Sequence, residues 1–124
     1  MIIHLADREA EIMAVLWERG PSTVAEVRDV LSDRLAYTTV QTILRNLEGK
    51  GYVCHQQEGR QHRFKALVAC AAARRSALQH LAAKLFRGSA AVLLTQMVAD
   101  AELTEEEVLQ IRKALNARIK KGPA

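Results

Sequence analysis

The sharpest constraint in this sequence is a change of period near residue 50. Before it, apolar residues recur at helical spacing; after it, two short strand-like runs flank a turn dipeptide. Ile12, Val15, Leu16 and Trp17 mark a first helix, with Asp7, Glu9 and Glu11 in its first turn, where acids complement the helix dipole. Gly20 and Pro21 end it. Thr23 to Glu26 reads as a capping box that opens a second helix, with Val24, Val27, Val30 and Leu31 as its buried stripe. After a break at residues 33–36, Thr38 to Gln41 reads as another capping box. Val40, Ile43, Leu44 and Leu47 then form the inward stripe of a third helix, bracketed at its end by Gly49 and Gly51. Short helices in this order, with a tight second connection, predict a helix-turn-helix.

The runs 52–57 and 60–65 flank Glu58-Gly59 and predict a hairpin. A two-residue loop there sets Val53 opposite Phe64 and His55 opposite His62, with Cys54 and Arg63 on the other face. A hairpin directly after a helix-turn-helix is a wing. The predicted fold class is therefore mainly α: a winged helix-turn-helix over residues 1–68, then a helical region over 69–124. That tail carries three amphipathic stretches, with Leu78, Leu81, Leu85, Leu93, Leu94, Met97, Val108, Ile111 and Leu115 as their apolar stripes. Some fifty-five residues of this kind expose more apolar surface than they can bury alone, so a two-fold partner, a homodimer, is expected to cover it.

Charge separates along the chain. Residues 1–33 hold three arginines against seven acids, a net −4; residues 34–65 hold six bases against two acids, a net +4. The basic stretch begins where a recognition helix would begin, and cations there neutralise phosphates. Thr39 and Thr42 share one face of the third helix, and Arg45 and Asn46 continue it. Thr offers a hydroxyl and a methyl, Arg pairs with guanine and Asn with adenine. Tyr37 and Thr38 at the helix start, Arg60 beside the wing turn and Arg63 in the wing complete the expected contacts with double-stranded DNA. Trp17 reads as a core anchor beside Phe64.

Other classes are disfavoured. Apolar stretches such as Leu67 to Ala73 and Ala90 to Leu94 fall far short of the ~20 residues that cross a bilayer. The acids near the start are unlike a signal peptide, so a cytoplasmic location is expected, with Cys54 and Cys70 reduced. No hydrolase, nucleotide or zinc-protease motif is present, and no enzyme activity or cofactor is expected. His55, His62 and Cys54 invite a metal reading, but only two of them share a strand face, and no metal site is expected. A protein-binding adaptor, or a regulator of the MarR type answering a small molecule, are the competing functions.

Several stretches carry a resemblance: Glu9 to Trp17, Thr38 to Leu44, Leu47 with Lys50-Gly51, Glu58 to Arg60, and more weakly Gly88-Ser89 with Leu103 to Glu107 and Leu115. In that order and spacing the chain resembles the penicillinase-repressor family of winged-helix repressors, from about Leu5 to Leu115. The resemblance implies a dimer with each third helix in a major groove of a palindromic operator, often with TACA/TGTA half-sites. It also implies release when a membrane sensor protease pathway leads to cleavage in the tail, at a position that falls on Gln96-Met97 here. Asn46 stands where much of the family has Arg. The tail has no Cys-x-Cys pair, so the copper-responsive mode does not carry over.

Overall fold

A computed structural model describes residues 2–122. The order is α1 (Asp7–Arg19), β1 (Ser22–Thr23), α2 (Val24–Val30), α3 (Tyr37–Gly49), β2 (Val53–Glu58), β3 (Gln61–Ala66), α4 (Cys70–Leu85), α5 (Ala90–Asp100) and α6 (Glu105–Lys121). The chain forms two compact units, one ending at His80 and the other beginning at Leu81. Winged helix-turn-helix architecture is present as expected, with helices dominating.

In the first unit, apolar positions from α1, α2, α3 and the hairpin converge on one core. Ile12, Met13, Val27, Val40, Leu44, Leu47, Val53 and Phe64 have at most 2% of their surface exposed. Burying a ring the size of Phe64 stabilises the fold by about 2–3 kcal/mol. Trp17 is half-buried against this core, and its indole N–H donates to the Val68 carbonyl at 2.9 Å. The stripe of α2 is shorter than its spacing implied: Val30 is exposed and Leu31 only half-buried, because the helix ends at Val30.

Three local expectations need correction. Glu11 lies beyond the first turn of α1, where it pairs with Arg8 at 3.0 Å; Glu9 instead closes the helix start, accepting the Ala6 N–H at 2.9 Å. The box at Thr38 does not form. Ala36 caps α3, and its carbonyl accepts from the Thr39 and Val40 amides. Tyr37 and Thr38 are thereby drawn into the first turn. Finally, the hairpin is shifted: His55 lies opposite Phe64 and Gln57 opposite His62, with Glu58 paired to Gln61. The loop is Gly59-Arg60, because Gly59 takes φ +60° at its first position, a conformation glycine adopts without strain. The slip is even, so the faces survive, with Val53, His55, His62 and Phe64 together and Cys54 and Arg63 opposite.

Sequence patterning also missed β1. Ser22 and Thr23 pair with Phe64 and Arg63 of β3, giving an antiparallel sheet in the order β1-β3-β2. A two-residue strand has no period to detect. Thr23 is at the same time the N-cap of α2, its hydroxyl accepting from Glu26 while Glu26 accepts the Thr23 N–H.

In the second unit, Ser89 caps α5 and the Thr104–Glu107 box caps α6. Leu93 is buried, Ile111 is half-buried, and the rest of α6 is exposed. Among the described residues no single helix is long and apolar enough to cross a membrane.

Candidate nucleic-acid interface

The core fixes which way α3 faces. Val40, Leu44 and Leu47 point inward and Ile43 is half-buried. At about 100° per residue, Thr38, Thr42 and Arg45 lie opposite that stripe, flanked by Thr39 and Asn46. All five are exposed, as is Tyr37 at the helix start. Thr42 Oγ1 donates to the Thr38 carbonyl at 2.9 Å, so its hydrogen is engaged within the helix. What Thr42 offers outward is an acceptor oxygen and a methyl group. Among the described residues Arg45 makes no ion pair.

Two contacts anchor the C-terminal end of this helix. Lys50, its C-cap, reaches Glu9 of α1 at 2.7 Å, and that carboxylate is 8% exposed. Burial pushes the Glu9 pKa up, but Lys50 and the Ala6 amide outweigh it and hold it below the ordinary carboxylate range. Glu48, one residue before the helix end, holds the His55 Nδ1 at 2.6 Å. Sequence reasoning missed both acids, since neither partnership follows a local spacing rule.

The wing is held on its two faces. On one, the His55 ring stacks on His62 at 4.2 Å with 10° between planes, and Phe64 lies beside both. Parallel stacked imidazoles do not aim their in-plane lone pairs at one point, and among the described residues no group of three or more His, Cys, Asp or Glu side chains could hold a metal ion. On the other face, Arg63 grips Glu58 through two nitrogens, reaches Glu26 of α2 at 2.9 Å and donates to the Pro21 carbonyl at 3.1 Å. Backbone and side-chain bonds to Thr23, with Arg63 and Arg19, hold the Glu26 carboxyl below its usual range; Arg63 does the same to Glu58. Arg63, expected as a DNA contact, is half-buried with its guanidinium engaged by Glu58, Glu26 and the Pro21 carbonyl. Arg60 in the turn is exposed and makes no ion pair among the described residues.

The penicillinase repressor family profile matches residues 5–117. The chain belongs to the penicillinase repressor family. Over 66 residues it is 42% identical to the transcriptional regulator BlaI of Mycobacterium tuberculosis, covering 51% of this chain and 48% of that one. The match therefore spans about half the length of those relatives. An uncharacterised 16.5 kDa protein of Latilactobacillus sakei is 25% identical over 122 residues, covering 97% and 84%. Among solved structures, a MarR family protein from Bacillus stearothermophilus is similar with a TM-score of 0.53 at 17% identity, covering 96% of this chain and 76% of that one. That likeness concerns the fold alone. The family is one of repressors, and the BlaI relative is a transcriptional regulator rather than an enzyme.

Leu78, Leu81, Leu85, Leu94, Met97, Val108 and Leu115 are 40–68% exposed. Leu93, placed by its spacing on the same stripe, is instead 6% exposed and buried within its own chain. Gln96 and Met97 are exposed side chains in the middle of α5.

Proposed function

We propose that this chain is a DNA-binding transcriptional repressor acting as a cytoplasmic homodimer. Each head (residues 1–68 with the start of α4) sets α3 into the major groove of a palindromic operator. Thr38, Thr39, Thr42, Arg45 and Asn46 face base edges, Tyr37 faces the backbone, and Arg60 reaches the adjacent minor groove or its phosphates. The single observation that carries this reading is the outward face of α3. It is polar and free of ion pairs among the described residues, beside an inward face whose Val40, Leu44 and Leu47 are fully buried. An adaptor would more often present apolar groups there.

Dimerisation is supported by the row of large exposed apolar side chains on α4, α5 and α6, more than a monomer normally leaves in water. Residues 69–124 are the proposed dimerisation region, with Leu93 now contributing from within the chain. Release by a sensor protease pathway cutting at Gln96-Met97 would require α5 to open first, because a protease takes its substrate extended and this bond lies within a helix.

Fluorescence anisotropy tests the reading, with a duplex from upstream of the protein's own gene and a random duplex, at two salt concentrations. Tight saturable binding by two protomers is expected, weakened by salt, with Arg45→Ala costing about 1–3 kcal/mol. Equal affinity for both duplexes, unchanged by Arg45→Ala, would refute it.

A further inference from the structure

The wing leaves the body of the head at one place. Val53 and Phe64 are buried in the core, and beyond them on the same face come His55 and His62, then the exposed tip at Gly59-Arg60. From His55 to the tip is about four residues, an arm of roughly 13 Å at about 3.3 Å per residue. Swinging such an arm by about 10° carries Arg60 about 2 Å, enough to take a hydrogen bond from ~2.9 Å past its useful limit. The angle of the wing is thus as important to Arg60 as Arg60 itself.

Two links hold this arm, on opposite faces: one near its root, the other reaching from beside the tip back to α2. One is Glu48 of α3 to His55, with His62 stacked on the far side of the ring. The other runs from Glu58 through Arg63 to Glu26 of α2. We propose that these links are a two-sided clamp that fixes the wing relative to the recognition helix, and that Glu48 is a positioning residue through which α3 sets the reach of Arg60. The inference rests on the DNA-binding reading. It explains why an acid stands near the end of a helix whose exposed face is turned to DNA. By charge alone, Glu48 repels DNA, and removing it should tighten binding. The clamp requires the reverse.

The opposed signs make the test. A duplex is first enriched from a random-sequence pool by the intact protein. Its affinity is then measured for the wild type, Glu48→Ala, Glu48→Gln, Arg60→Ala and the Glu48→Ala/Arg60→Ala pair, with thermal midpoints alongside. Glu48→Ala is expected to weaken binding about 3- to 10-fold, while Glu48→Gln, whose amide oxygen still accepts from His55, recovers most of the loss. Once Glu48 is gone, Arg60→Ala should cost less than about half its wild-type factor, because coupled residues are not additive. His55→Ala provides a second way to open the clamp if Glu48→Ala lowers the midpoint. Tighter binding by both Glu48 variants, or losses that simply multiply, would overturn the clamp and leave DNA binding intact. Failure to enrich any duplex would overturn the DNA-binding reading and the clamp with it.

Discussion

Lys50→Met should reverse the way one carboxylate responds to acid. Glu9 Oε1 accepts from the Ala6 amide at 2.9 Å and from Lys50 Nζ at 2.7 Å, tying the start of α1 to the end of α3. Removing one partner of a fully buried ion pair costs about 3–5 kcal/mol. The Lys50 side chain is 40% exposed, so water screens the pair and the expected cost at neutral pH falls to about 1–2 kcal/mol. For a unit of this size that is roughly 5–15 °C in the midpoint. In the wild type the Glu9 pKa is lowered on folding, so its contribution is present above the unfolded value and lost as pH falls through the folded one. Without Lys50, burial, already the largest influence on Glu9, prevails and raises the folded pKa. The penalty is then felt at neutral pH and relieved as pH falls. The gap between wild type and variant should therefore narrow from about pH 7 to about pH 4. Urea unfolding at both ends of that range measures it, with Glu9→Gln as the reference background, in which Lys50→Met should cost little at either pH. A gap that stays constant with pH, or that survives in Glu9→Gln, would refute this account of how α3 is anchored.

Two further outcomes are expected. Thr42→Ser, which removes the methyl that Thr42 turns outward, should weaken operator affinity by about 5-fold, read by the same anisotropy titration. Leu85→Glu combined with Met97→Glu, at side chains 68% and 59% exposed, should shift sedimentation toward a monomer with no loss of head stability, and lower operator affinity by on the order of 100-fold. A dimer that persists in that variant would place the interface elsewhere.

How legible the protein was depended on whether a feature is written locally. Helical stripes are, which is why α1, α3 and the core residues Ile12, Val40, Leu44 and Leu47 could be placed from spacing alone. The family likeness was legible for the same reason, as short motifs in a fixed order. The hairpin was legible as an object but not in register, since Glu58-Gly59 and Gly59-Arg60 are both acceptable two-residue turns. Choosing between them depends on which turn position gives glycine its positive φ, and Gly59 takes it at the first, leaving Glu58 paired to Gln61 in the ladder. β1 was illegible because its two residues gain strand geometry only from β3. Leu93 shows the limit of periodicity: it identifies a residue that avoids water, not whether its own chain or another covers it.

The braces change what the charge step along the sequence means. Read as a string, acids cluster before residue 34 and bases after it. In the fold, the two groups are partly interlocked. Glu9 takes Lys50 and Glu26 takes Arg63, so two of the six bases in the basic stretch build the head. Arg34, Arg45, Arg60 and Lys65 make no ion pair among the described residues. At roughly 0.9 in salt slope per neutralised phosphate, these four set the ceiling on what the basic stretch of one head contributes. Neutralising the inner cations with early acids also keeps the head from repelling itself, while the exposed cations stay bare. Arg45 and Arg60 sit on separate elements, α3 and the hairpin turn. On the proposed reading, their joint use on one duplex would depend on Glu48, His55, Glu26 and Arg63 holding those elements in register. Specific binding would then reside as much in the acids that orient the cations as in the cations themselves.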